Sequence, residues 1–175
     1  MSEIVEAATE EQVQAVRSLF HEYQAEIPAQ YCFASFEAEV SGLPGEYGPP
    51  KGKLLVATVA GQPVGCVGLR PFPQESACEM KRLYVRPTFR GGQLGKALVE
   101  RVLQEARALG YSRLRLDTHP LTMHAAVQMY RKMGFREVPP APLPGLEGLL
   151  YMEIVLVPTH ESSVDNASPT QAAGR

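Results

Sequence analysis

A chain of 175 residues with 45% hydrophobic and 21% charged residues holds enough apolar material for one domain with its own core, and too little length for two comfortable ones. A net charge of −2 without tryptophan or a recognised basic–aromatic motif argues against a nucleic-acid partner, and no apolar run approaches the roughly 20 residues that span a bilayer. The acidic N-terminus lacks a signal-peptide pattern, and Cys32, Cys66 and Cys78 fit neither zinc spacing nor a disulfide framework, so the expectation is a cytoplasmic protein with reduced thiols, no metal and no membrane.

Glu3–Ala7 reads as a short strand. Thr9 with Gln12 three residues on is a capping-box signature, and Val13, Val16, Phe20, Tyr23 and Ile27 then recur at helical steps, which predicts a helix to about Glu26 stopped by Pro28. Ser35–Ser41 reads as a second short helix, and the Gly- and Pro-rich run Gly42–Gly52 as a surface loop. Lys53–Ala60 and Val64–Arg70, joined by Gly61, Gln62 and Pro63, predict a hairpin, with Cys78–Val85 as the next strand. After the break at Arg86–Phe89, Leu94, Leu98, Val102, Ala106 and Leu109 follow a helical stripe that Gly110 stops. Arg113–Asp117 is a further strand, Thr122 is placed as the cap of a helix to Met133 ended by Gly134, and Phe135–Val138 and Leu149–Val157 complete the strands. Pro139–Gly148, with four prolines and two glycines, reads as a functional loop, and 158–175 as a disordered tail.

Charge is distributed unevenly. Met1–Glu46 holds nine acidic residues against Arg17 alone, whereas Lys81–Arg115 holds nine basic residues against Glu100 and Glu105. That pattern suggests an anionic ligand for the middle of the chain.

The chemistry concentrates in Arg90-Gly91-Gly92-Gln93-Leu94-Gly95-Lys96, which follows a strand and opens an amphipathic helix. Unpaired N–H groups at a helix start, the helix macrodipole, glycines that admit close approach and two cations form a phosphate site. The glycines alone are also compatible with a tight turn whose glycines serve sterics. Neither a P-loop nor a dinucleotide fingerprint fits the spacing.

Leu83-Tyr84-Val85-x-Pro87-x-x-Arg90-Gly91-x-x-Leu94-Gly95-Lys96-Ala97-Leu98 resembles the acyl-CoA signature of the GNAT acyltransferase superfamily, and Ala126-x-x-x-Tyr130-x-Lys132-x-Gly134-Phe135 resembles its later helix and the strand after it. The chain departs from the pattern at Gln93, where glycine is moved to Gly92, and at Met123, where an Asn is often found. The resemblance implies an α/β fold over 1–157: a single-domain GNAT-like mixed, mostly antiparallel sheet flanked by helices and splayed between the fourth and fifth strands. It implies acetyl-CoA as cosubstrate, its diphosphate held by the backbone of Gly91, Gly92, Gln93, Leu94, Gly95 and Lys96 with the charge of Arg90 and Lys96. Leu83 and Val85 pair with the pantetheine arm, and the Leu83 N–H polarises the thioester carbonyl.

Tyr130 is then the proton donor to the CoA sulfur, against a plain core tyrosine otherwise. Strand alternation would put Glu79 on the face of Leu83 as the base for the amine, against a solvated glutamate. Asp117, at the strand end with Thr118 and His119, is a substrate-side candidate. His21 and His124 lack ligand-spaced partners, and Cys78 has no His–acid constellation to make it a nucleophile. The implied function is N-acetyl transfer by direct attack of a primary amine, small-molecule or peptide and suggested by charge to be cationic; a catalytically silent CoA-binding regulatory module is the alternative. The oligomeric state is left open, a homodimer included.

Overall fold

The computed structural model describes residues 1–28, 35–74, 76–140 and 148–156. The tail, Cys32 and most of the 139–148 loop lie outside them. Along the chain run β1 (Ser2–Glu6), α1 (Glu10–Glu26), α2 (Phe36–Ser41), β2 (Lys53–Val59), β3 (Gln62–Pro71), β4 (Ala77–Val85), α3 (Leu94–Ala108), β5 (Arg113–Thr118), α4 (His124–Lys132), β6 (Arg136–Glu137) and β7 (Leu150–Val155). The strands form one sheet in the order β1-β2-β3-β4-β5-β7-β6, antiparallel at every junction except the parallel β4–β5 pair.

The capping box forms as expected. Gln12 N–H donates to Thr9 Oγ1 at 3.3 Å, and Thr9 N–H donates to Gln12 Oε1 at 3.0 Å, so α1 begins with two otherwise orphaned donors satisfied. Strand alternation then sorts the core into two layers. Leu55, Ala57, Val67, Met80 and Leu114 face α3 and Tyr130 of α4, while Leu54, Val56, Cys66 and Tyr84 face α1 and α2. Each layer removes aliphatic side chains from water at roughly 25 cal/mol per Å² of apolar surface, the main stabilising contribution of the fold.

Three local expectations are corrected. Positive φ at Ala60 (50°) and Gly61 (77°) makes a two-residue turn, and β3 starts at Gln62, because a tight hairpin needs both central residues left-handed to match strand twist. The Gly42–Gly52 run is not all surface: Leu43 and Tyr47 are buried against α1, and the Tyr47 ring sits over Gly68, where a Cβ would come within 2.6 Å of it. Thr122 does not cap α4. Met123 holds the cap position, and Thr122 Oγ1 lies 3.1 Å from His119 Nδ1 instead.

Candidate active site

Two features of β4 open the sheet. Its parallel ladder with β5 consists of Ala77↔Arg113, Cys78↔Leu114 and Glu79↔Arg115 and then stops, so the rest of β4 has an unpaired edge. Against β3, Gly68 faces Lys81 and Cys66 faces Tyr84, leaving Val67 alone opposite both Arg82 and Leu83. That extra residue is a bulge, and Arg82 carries it at φ 59°. The strained backbone is held from several sides: Arg82 Nε and Nη2 donate to Glu39 Oε2 at 3.2 and 2.8 Å, and its guanidinium stacks over Phe36 at 5.2 Å and Tyr23 at 5.8 Å.

The bulge corrects the expectation that Glu79 and Leu83 share a face. One inserted residue reverses the alternation, so Leu83 packs with the α3 layer while Glu79 stays on the other side. There Glu79 accepts from Arg70 Nε at 3.1 Å and lies 3.5 Å from Lys81 Nζ. It lines a shallow depression with Glu46 and Arg70, away from Tyr130.

Beyond the ladder a cleft of about 850 Å³ opens between β4 and α4, lined by Leu83, Val85, Arg90, Gly91, Gln93, Gly95 and Lys96 on one wall and Met129 and Met133 on the other. Seven of the nine sequence-derived cofactor residues thus converge; Gly92 and Leu94 are not among the lining residues, and the Leu94 side chain is buried in the core. No side chain caps the start of α3, so its first-turn N–H groups have neither intrahelical nor side-chain partners there. Gly91 takes φ 82° and Gln93 φ 69°, whereas Gly92 needs no positive φ. The exchange of glycine and glutamine between 92 and 93 therefore puts the left-handed conformation on a residue with a side chain. Gln93→Gly should raise stability by about 1 kcal/mol and Gln93→Val lower it by a similar amount, read as shifts in Tm.

A Cβ at Gly95 would meet no atom beyond its chain neighbours and the adjoining backbone of its own helix within 4 Å. Any side chain there would project into the cleft that Gly95 lines. The donor set, the glycines and Lys96 fit a diphosphate, which is the test that coenzyme A must pass here. Gly95→Leu should leave Tm unchanged and weaken CoA binding on the order of 100-fold in calorimetry.

A smaller cavity, about 70 Å³, adjoins the cleft and shares Tyr23, Ile27, Leu83, Thr122 and Met123 with it. Lys81, Arg82, Asp117, His119 and Tyr130 also line this cavity. Tyr130 is 5% exposed, packs against Phe135 at a ring distance of 5.6 Å, and its hydroxyl makes no hydrogen bond among the described residues. Burial first, then Tyr23 and Asp117, pushes its phenol well above the ordinary range. Asp117 accepts from Lys81 Nζ through Oδ1 at 2.6 Å, and Lys81 stays protonated because Asp117 and Glu79 outweigh its burial. Cys78 is buried and its thiol is pushed up to about 12, so it offers no thiolate.

Sequence reasoning missed the fate of the acidic half. Glu6, Glu10, Glu22, Glu26, Glu39 and Glu46 pair with Lys53, Arg17, Arg86, Arg90, Arg82 and Arg70. Of the α1 and α2 carboxylates, Glu22, Glu26 and Glu39 are thus paired with Arg86 and Arg90, which follow β4, and with Arg82 on it, which weakens the argument from raw charge for a cationic acceptor.

A sheet forked between two parallel strands, with an uncapped glycine-lined helix start at the fork and a cavity behind it, is the arrangement expected from the resemblance to acyl-CoA-dependent acyltransferases. The family comparison agrees: residues 5–135 match the Acetyltransferase (GNAT) family, and the chain belongs to that family. It is 38% identical to an uncharacterized N-acetyltransferase of Schizosaccharomyces pombe, over 79% of this chain and 85% of that one. To an IAA acetyltransferase of Azospirillum brasilense it is 40% identical over 59% of this chain and 68% of the relative. Its fold is similar to that of a GNAT-family acetyltransferase of Staphylococcus aureus, with a TM-score of 0.75 at 18% identity, covering 90% of this chain and 100% of that one.

Proposed function

We propose that this acetyltransferase moves an acetyl group from acetyl-CoA to a primary amine by direct attack, with the cleft taking the cofactor and the adjoining cavity the amine. The observation that carries the reading is the shared wall of the two spaces at Leu83, with Tyr130 and Asp117 in the cavity beyond it. Bound in the cleft, acetyl-CoA supplies an activated acetyl group and a thiol leaving group.

The chain's own residues do the rest. The bulge leaves Leu83 without a single opposing partner on β3, and its N–H is the donor assigned to the carbonyl oxygen. Tyr130 holds a proton at its phenolic oxygen through neutral pH and gives it to the departing sulfur. Asp117, not Glu79, meets the acceptor: Lys81 binds Oδ1, and Oδ2 is left to take the proton that the attacking amine gives up. Glu79 supports Lys81 from behind. The buried thiols of Cys66 and Cys78 support a reducing, cytoplasmic setting for this activity.

Thiol release from acetyl-CoA across a panel of neutral, cationic and carboxylate-bearing primary amines tests the proposal. Amine-dependent release is expected, without the bias towards polyamines that the raw charge pattern would suggest; no release above hydrolysis with any amine would contradict it.

A further inference from the structure

The cation at the mouth of the cradle is already engaged. Arg90 Nη2 donates to Glu26 Oε2 at 2.7 Å, Arg90 Nε donates to the Val85 carbonyl at 2.7 Å, and the guanidinium lies over the Tyr84 ring at 5.5 Å. The other oxygen of Glu26 accepts from the Tyr84 hydroxyl at 3.0 Å. Glu26 is the last residue of α1, and it lines the cleft together with Arg90, Gly91 and Lys96. We infer that Glu26 competes with the cofactor diphosphate for Arg90 and so sets the affinity of the cleft, an inference that rests on the cleft being the coenzyme site.

The backbone around Arg90 supports competition. Arg86 N–H donates to the Val64 carbonyl, which makes the neighbouring Gly65–Val85 pair a non-hydrogen-bonded one and turns the Val85 carbonyl to the open edge of β4. Arg90 covers that carbonyl, so its side chain lies along the wall of the cleft. An anion seated on the first turn of α3 meets a guanidinium that a carboxylate has neutralised. A diphosphate carries more charge than one carboxylate, so Arg90 changes partners and Glu26 is released from it.

Both side chains of the pair are nearly half exposed, which limits what the pair contributes and hence what its rupture costs the ligand to about threefold to fivefold in Kd. If Glu26 instead served to orient Arg90 for the phosphate, removing its charge would weaken binding. The two roles differ in sign.

Calorimetric titration of the full chain with CoA and, separately, with pantetheine at matched ionic strength makes the distinction. Glu26→Gln, which keeps the side-chain shape, should tighten CoA about threefold to fivefold and leave pantetheine, which lacks the diphosphate, unchanged. In an Arg90→Gln background the same substitution should bring no gain. Weaker or unaltered CoA binding, equal tightening of pantetheine, or a gain that persists without Arg90 would overturn the inference. Failure of the unmodified chain to bind CoA at all would overturn the functional reading and this inference with it.

Discussion

Tyr130→Phe should lower kcat by roughly 10²- to 10⁴-fold with the CoA dissociation constant unchanged. The ring is 5% exposed and packed against Phe135, so phenylalanine fills the same space and the fold is kept. What is lost is one hydroxyl that makes no hydrogen bond among the described residues, which makes a structural penalty small. Because burial pushes the phenol far above neutrality, it is protonated across the working range. The pH–rate profile should therefore show no limb from Tyr130, and the variant should keep the wild-type profile at a lower plateau. Turnover within twofold of wild type would remove Tyr130 from the chemistry.

Lys81→Met should cost about 3 kcal/mol of stability, because breaking a buried pair strands the charge left behind. Lys81 lies at the crotch of the fork. If the ladder continued past Glu79↔Arg115, residue 81 would face residue 117; past the end of the ladder the 2.6 Å hydrogen bond from Lys81 to Asp117 joins the two strands. Its loss leaves Asp117 and Glu79, each about 15% exposed at the side chain, without their shared cation. A Tm drop of about 6–12 °C is expected for a domain of this size. Adding Asp117→Asn should recover much of the stability but not the turnover, since the asymmetry lies in the unpaired charge. A Tm equal to that of wild type in the single variant would show that the pair does not hold the fork.

Much of the architecture was legible because its signals are local. The capping box of Thr9 and Gln12 and the glycine-rich start of α3 each lie within about two turns, the stripe of α3 repeats at three- and four-residue steps along one helix, and each forms where the spacing placed it. The sites that escaped depend on register or on distant partners. Nothing in Lys81-Arg82-Leu83 announces a bulge, since an arginine rather than a glycine takes the left-handed position; that single residue moved Glu79 away from Leu83.

The pairings of Arg82 with Glu39 and Arg90 with Glu26 join residues 43 and 64 positions apart. A tally of charges shows an acidic half and a basic middle without showing that they neutralise each other. Likewise, the buried Tyr47 in a loop of glycines and prolines is explained only by Gly68 beneath it on β3. Asp117 was visible as a strand-end candidate, but its tie to Lys81 required the β4–β5 register.

Acetyl transfer as proposed depends on the backbone of the α3 start gripping a diphosphate despite a glutamine at position 93. A crystal structure of the chain with CoA tests this most directly. Phosphate oxygens are expected within hydrogen-bond distance of the N–H groups between Gly91 and Lys96, with the Gln93 backbone still left-handed; diphosphate density away from that turn, or a Gln93 side chain filling it, would show that the turn does not hold the coenzyme.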